Sequence, residues 1–98
     1  MLSYRRGRRF EYEVRDLFRS KGWFVIRAAA SKPIDLVCVK KGSTVLVECK
    51  YSDRPTRAEL EEVRTISQNI GVTAVIAIKE RYGRITLYDA LSGEEFQP

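Results

Sequence analysis

The sequence contains no histidine. That removes Ser-His-Asp and Cys-His catalysis, the usual imidazole base and most zinc sites. It has two cysteines, Cys38 and Cys49, not in a CxxC arrangement, so a thiol-disulfide redox motif and a zinc knuckle are excluded as well. Tryptophan and methionine occur once each. Unbroken apolar runs are short, such as Ala74–Ile78, against the ~20 residues a membrane span needs. The amino terminus, Met-Leu-Ser-Tyr-Arg-Arg, has no apolar h-region, so the expectation is a cytoplasmic protein with no membrane partner. Acid-base or metal chemistry in this chain is left to carboxylates, lysine, tyrosine and bound water.

What is present is a 98-residue chain, enough for one domain and too short for two ordinary ones. A site between large domains is therefore excluded, and any site lies on a surface or is completed by a second copy. The net charge is +5 and uneven: residues 1–32 carry nine Lys/Arg against Glu11, Glu13 and Asp16, whereas the rest carries nine against ten acids. A basic amino-terminal third points to a polyanion, with nucleic acid as the default, and a solvated basic face as the plain alternative.

The hydrophobic pattern gives the order αβββαββ. A first helix spans Arg6–Lys21, with Phe10, Val14, Leu17 and Phe18 in one stripe. Strands follow at Trp23–Ala28, Ile34–Lys40 and Thr44–Lys50, the last two joined by a tight turn at Lys41-Gly42. Thr56-Arg57-Ala58-Glu59 is a capping-box pattern opening a second helix, whose buried face is Leu60, Val63, Ser67 and Ile70 and which stops at Gly71. Strands at Val72–Lys79 and Arg84–Asp89 and a tail from Ser92 complete the chain. Strands two, three and four are apolar on both faces, which places them in a sheet covered by helices.

Glu48 and Lys50 interrupt the third strand and, two residues apart, share a face. A turn at Lys41-Gly42 pairs residues whose numbers sum to 83, which sets Asp35 opposite Glu48. Two opposed carboxylates repel and lose hydration, so one takes a proton unless a cation intervenes. Mg²⁺, held by a few carboxylates, a backbone carbonyl and water, suits the pair best. Lys50, one pleat on, is placed to steady an attacking water or a phosphate. The plain alternative is an exposed cross-strand charge pattern. Glu11 sits beside the apolar stripe of the first helix and either reaches toward the sheet as a further carboxylate or pairs with Arg15 four residues on. Arg5, Arg6, Arg8 and Arg9 form a basic arm over residues 1–9 and the start of the first helix. Their cations oppose the helix dipole and so hint at an anionic ligand. Arg27, Ser31 and Lys32 flank a run of alanines before the second strand and can touch phosphates. Cys38 and Cys49 face different partners in this register and are read as small core residues without a disulfide.

Tyr4-Arg5-Arg6-Gly7 with Glu11, Gly22-Trp23-Phe24-Val25-Ile26-Arg27, Ala30-Ser31-Lys32-Pro33-Ile34-Asp35 and Val47-Glu48-Cys49-Lys50 together resemble archaeal-type Holliday junction resolvases of the PD-(D/E)xK nuclease superfamily. The resemblance implies an α/β, restriction-endonuclease-like fold with a central mixed sheet flanked by helices, filling residues 1–98 as one nuclease domain. It implies a homodimeric, Mg²⁺-dependent endonuclease, for which Mn²⁺ can substitute, acting on branched DNA and specifically on four-way junctions. Glu11, Asp35 and Glu48 would be the acidic set, the carbonyl of Cys49 a further metal ligand, and Lys50 the residue that positions water. Arg27 and Ser31 would support the scissile phosphate. These resolvases usually place an arginine directly after the leading glutamate, where this chain has Tyr12. Another branched or single-stranded DNA as substrate, and a non-catalytic junction-binding role, are the competing readings.

Overall fold

Helix α1 covers Leu2–Ser20 and lays Phe10, Val14 and Phe18 into the core, with Leu17 packed beside them. It starts several residues earlier than the periodicity indicates, because the arginines of the basic cluster are good helix formers and none of them breaks the helix. The cluster is therefore helical rather than a loose arm. The computed structural model describes residues 2–28 and 32–98.

Gly22 (φ +94°) turns the chain out of α1 into strand β1, Phe24–Arg27. Strands β2, Leu36–Lys40, and β3, Ser43–Lys50, form a hairpin closed at Lys41-Gly42, where Gly42 has φ +75°. The expected register holds: Leu36 pairs with Val47, Val37 with Leu46, Cys38 with Val45 and Lys40 with Ser43. Helix α2, Arg57–Ile70, carries the chain over to β4, Thr73–Lys79, which runs parallel to β3. A 3₁₀ turn at Arg81–Gly83 leads into β5, Ile85–Asp89, antiparallel to β4. The result is an α/β fold whose five-stranded mixed sheet has the order β1-β2-β3-β4-β5 and is flanked by the two helices.

The pleat divides β3 between two cores. Val45 and Val47 join Leu36, Cys38, Val75 and Ala77 beneath α1. Leu46 joins Ile76, Ile78 and Ala74 beneath Val63, Leu60 and Ile66 of α2. Glu48 and Lys50 continue the second row, so both lie on the α2 side.

Three expectations are corrected. Ile70 is 58% exposed at the last position of α2, before the left-handed Gly71, and Ile66, one turn earlier, packs against the α2-side core in its place. The carboxyl-terminal residues are not a loose tail: Phe96 donates its N–H to the Leu87 carbonyl, stacks on Phe18 at 6.1 Å and packs against the α1-side core. The face of β1 and β2 opposite α1 is not covered along its length, since Phe24, Ile26 and Val39 are exposed.

These positions separate stability from surface. Phe96→Ala removes a half-buried ring and is expected to cost ~2 kcal/mol, below the ~3–5 kcal/mol of a fully buried phenylalanine. Ile70→Ala should cost less than about 0.5 kcal/mol, as an exposed position does. Urea denaturation of the two variants checks the order, and equal losses would contradict the packing of the terminal segment.

Candidate active site

Two acids meet at the carboxyl end of β3. Asp35, just before β2, and Glu48, on β3, are 7% and 6% exposed. Asp35 is held by β3 itself: its N–H donates to the Val47 carbonyl at 2.9 Å, and its Oδ2 accepts from the Cys49 N–H at 2.8 Å. Glu48 is its neighbour and is less well served. Its Oε1 is buried without a hydrogen-bond partner among the described residues. Burial, then the hydrogen bond and charge of Asp35, push the Glu48 carboxyl up to about 9, against a weaker opposing pull from Lys50 and Lys32. At neutral pH this carboxyl keeps its proton unless a cation replaces it.

The remaining site residues stand around this pair. Lys50 does not turn onto Glu48 or Asp35; its Nζ lies 3.0 Å from both carboxylate oxygens of Glu59 on α2. Glu11 on α1 is part-buried and accepts from Arg27 Nε at 3.0 Å, so its partner is neither the sheet acids nor Arg15, which bonds Asp16. The Arg27 and Arg15 guanidinium groups lie 5.5 and 4.7 Å from the Tyr12 ring centroid. Tyr12 thus carries cations at the position where the resembled family has one of its own. All three acids still act on Cys49: burial first, then Asp35, Glu11 and Glu48, hold its thiol well above the usual value. Both cysteines are free thiols, and burial raises Cys38 to about 12.

Among the described residues no group of three or more His, Cys, Asp or Glu converges closely enough to hold a metal ion. The structure brings Asp35 and Glu48 together and leaves Glu11 on Arg27. The pair fits a hard cation that keeps most of its water. Mg²⁺ is bound in this way by one or two carboxylates, and an unpartnered buried carboxylate oxygen is the group such an ion satisfies.

The surround is basic. Arg5, Arg6, Arg8 and Arg9 are exposed on α1, whose first turn contains no acid. Lys32 is 83% exposed, with its Nζ 4.0 Å from Asp35. Ser31 lies outside the described residues. Arg6 and Arg9 also line a cavity of about 170 Å³ with Tyr51 and Lys79, at the same end of the sheet. Glu59, in sequence only the acid of a capping box, is a member of the site that no spacing assigned to it. Its signal was present in the sequence, as the acid of the capping box nine positions after Lys50, but nothing in the spacing shows that α2 starts beside β3.

The family model described as archaeal Holliday junction resolvase (Hjc) matches residues 2–95. The crossover junction endodeoxyribonuclease Hjc of Methanocaldococcus jannaschii is 35% identical over 80 residues, covering 78% of this chain and 60% of that protein. This chain thus spans less than two thirds of the relative's length. The solved structure of Archaeoglobus fulgidus Hjc, a Holliday junction resolvase, superposes with a TM-score of 0.72 at 22% identity over 86% of this chain and 72% of that one, a likeness of fold.

The Glu48 environment has a measurable sign. A carboxyl that keeps its proton from its ordinary 4.5 up to about 9 when folded makes the metal-free protein lose stability as pH rises through that window. In EDTA, Glu48→Gln should therefore stabilise the protein, more at pH 8 than at pH 5, by at least about 1 kcal/mol or ~4–8 °C in melting temperature. With millimolar Mn²⁺ the wild type should gain stability and the variant should not. A pH-independent difference would contradict the buried, crowded carboxyl.

Proposed function

The chain belongs to the archaeal Holliday junction resolvase family, and from that premise we propose that it is a metal-dependent endonuclease that hydrolyses phosphodiester bonds of four-way DNA junctions. The observation that carries this reading is the buried Asp35–Glu48 pair, with its orphaned Glu48 Oε1 and the exposed Lys32 beside Asp35. Asp35 and Glu48, with the Cys49 carbonyl as a further oxygen donor, would hold Mg²⁺ or Mn²⁺, while Glu11, bonded to Arg27, stands outside this set. The ion, when bound, neutralises charge on the phosphate and acidifies water.

The chain's own residues do the rest. Asp35 is oriented by the Cys49 N–H, so its free oxygen faces Glu48 without a search through rotamers. Lys50 supplies a compact cation beside the acids to orient a water or a phosphate oxygen. Arg27 and Lys32, with Ser31, support the scissile phosphate. Arg5, Arg6, Arg8 and Arg9 hold the backbone of an arm through contacts that carry no sequence information. This suits a substrate defined by shape, met in the cytoplasm where chromosomal DNA lies.

A junction has two strands to cut, and this chain offers one acidic pair, so the active form is a homodimer related by a two-fold axis. Support comes from the uncovered sheet face. Phe24 sits opposite Val39 and Ile26 opposite Val37 in the β1–β2 register, forming one apolar patch on the face that Asp35 also shares. A second copy seated there covers the patch and brings two acidic pairs to one side of the assembly.

Two experiments test these statements. On a synthetic four-way junction the protein should make paired, symmetric nicks with Mg²⁺ and none in EDTA. Asp35→Ala, Glu48→Ala or Lys50→Ala should each lower the rate about 10²-fold or more; unaltered activity refutes the site, and preference for a flap in competition refutes the junction. Ile26→Asp should halve the mass measured by sedimentation while leaving the fold intact, and an unchanged mass removes β1–β2 from the interface.

A further inference from the structure

We infer that Glu59 is a positioning residue for Lys50, holding the ammonium beside the acidic pair and off it. The inference rests on the nuclease reading above and adds to it a residue from a different element. Lys50 is a flexible four-carbon cation next to two crowded carboxylates, one of them with an unpartnered oxygen. Left to itself, that ammonium gains most by folding onto Glu48 and filling the place where a divalent cation would bind. The structure shows another arrangement. Lys50 Nζ is 3.0 Å from Glu59 Oε1 and 3.0 Å from Oε2, a two-point contact that fixes the direction of a long, flexible side chain.

Glu59 is itself immobilised. It is the third residue of α2, and its Oε1 accepts from the Thr56 N–H at 2.8 Å while its own N–H donates to Thr56 Oγ1 at 3.1 Å. The Thr56 N–H first, and the Lys50 ammonium second, hold the Glu59 carboxyl below its usual range, so it is ionised. The same carboxylate thus closes a helix cap and anchors the lysine. Removing its charge makes the pocket less negative and frees Lys50 to compete with a metal ion.

The two roles separate chemically. A capping box accepts glutamine in place of glutamate, whereas a neutral amide does not hold an ammonium off a carboxylate. Glu59→Gln should therefore keep the cap and lose the anchor. Four readouts apply to the full chain: melting temperature in EDTA, junction Kd in EDTA, Mn²⁺ uptake by calorimetry, and single-turnover cleavage of a saturating four-way junction in Mg²⁺. For Glu59→Gln the melting temperature in EDTA should fall less than for Thr56→Ala, since only a partly exposed ion pair is lost, and the junction Kd in EDTA should match wild type. Mn²⁺ Kd should rise about tenfold and cleavage slow about ten- to a hundredfold, the scale of a misplaced group. Thr56→Ala, which breaks the cap and spares the carboxylate, should lower the melting temperature and leave Mn²⁺ uptake and cleavage at 25 °C intact. Wild-type values for Glu59→Gln in both uptake and cleavage overturn the inference, as do equal losses in Thr56→Ala. Wild-type protein that fails to cut the junction overturns the nuclease reading alone, because Mn²⁺ uptake still decides the role of Glu59.

Discussion

Two carboxylates pressed together at the end of a sheet are the constraint to which the surrounding structure answers. Asp35 and Glu48 are nearly inaccessible, the nearness of Asp35 favours the protonated form of Glu48, and one oxygen of Glu48 has no partner among the described residues. Such a pair adds nothing to folding; it is a cost, and one borne by the two apolar clusters that pack on either side of β3. The core makes the pair rigid, and rigidity keeps the cost from being relaxed away. A side chain with a free rotamer would turn to water. Asp35 is bound to the β3 backbone at two points and does not turn.

Three bases of the sheet are held by acids other than the pair. Arg27 is bonded to Glu11, Lys50 to Glu59 and Lys79 to Glu13. Each of these bases has an acid of its own on a neighbouring element, and Lys32 stands 4.0 Å from Asp35 with most of its side chain in solvent. Arg5, Arg6, Arg8 and Arg9 are exposed near the start of α1, where a cation opposes the helix dipole.

Much of this was legible beforehand because it depends on short-range rules. The Lys41-Gly42 turn sets the hairpin register, and the register alone puts Asp35 beside Glu48. The period of two places Lys50 on the face of Glu48, and Thr56 with Glu59 announces the start of α2. What escaped was the company each residue keeps across elements. Glu11 offered two partners by spacing, Arg15 or the sheet acids, and took neither, because the end of β1 brings Arg27 against α1. Ile70 continued the apolar period of its helix but is its last residue and stands exposed, with Ile66 packed one turn earlier. Phe96 sat in a stretch with no period to read, and only the stacking on Phe18 shows why it is ordered.

The amino-acid order by itself determined the order of elements, the hairpin register, the absence of imidazole chemistry and the presence of an acidic pair, since each follows from neighbours within a turn or one hairpin. The tertiary structure decided which cation each acid meets, which sheet face stays open and where Lys50 points. Those outcomes depend on how α1 and α2 dock on the sheet, and docking is set by the summed packing of both cores, not by any local spacing.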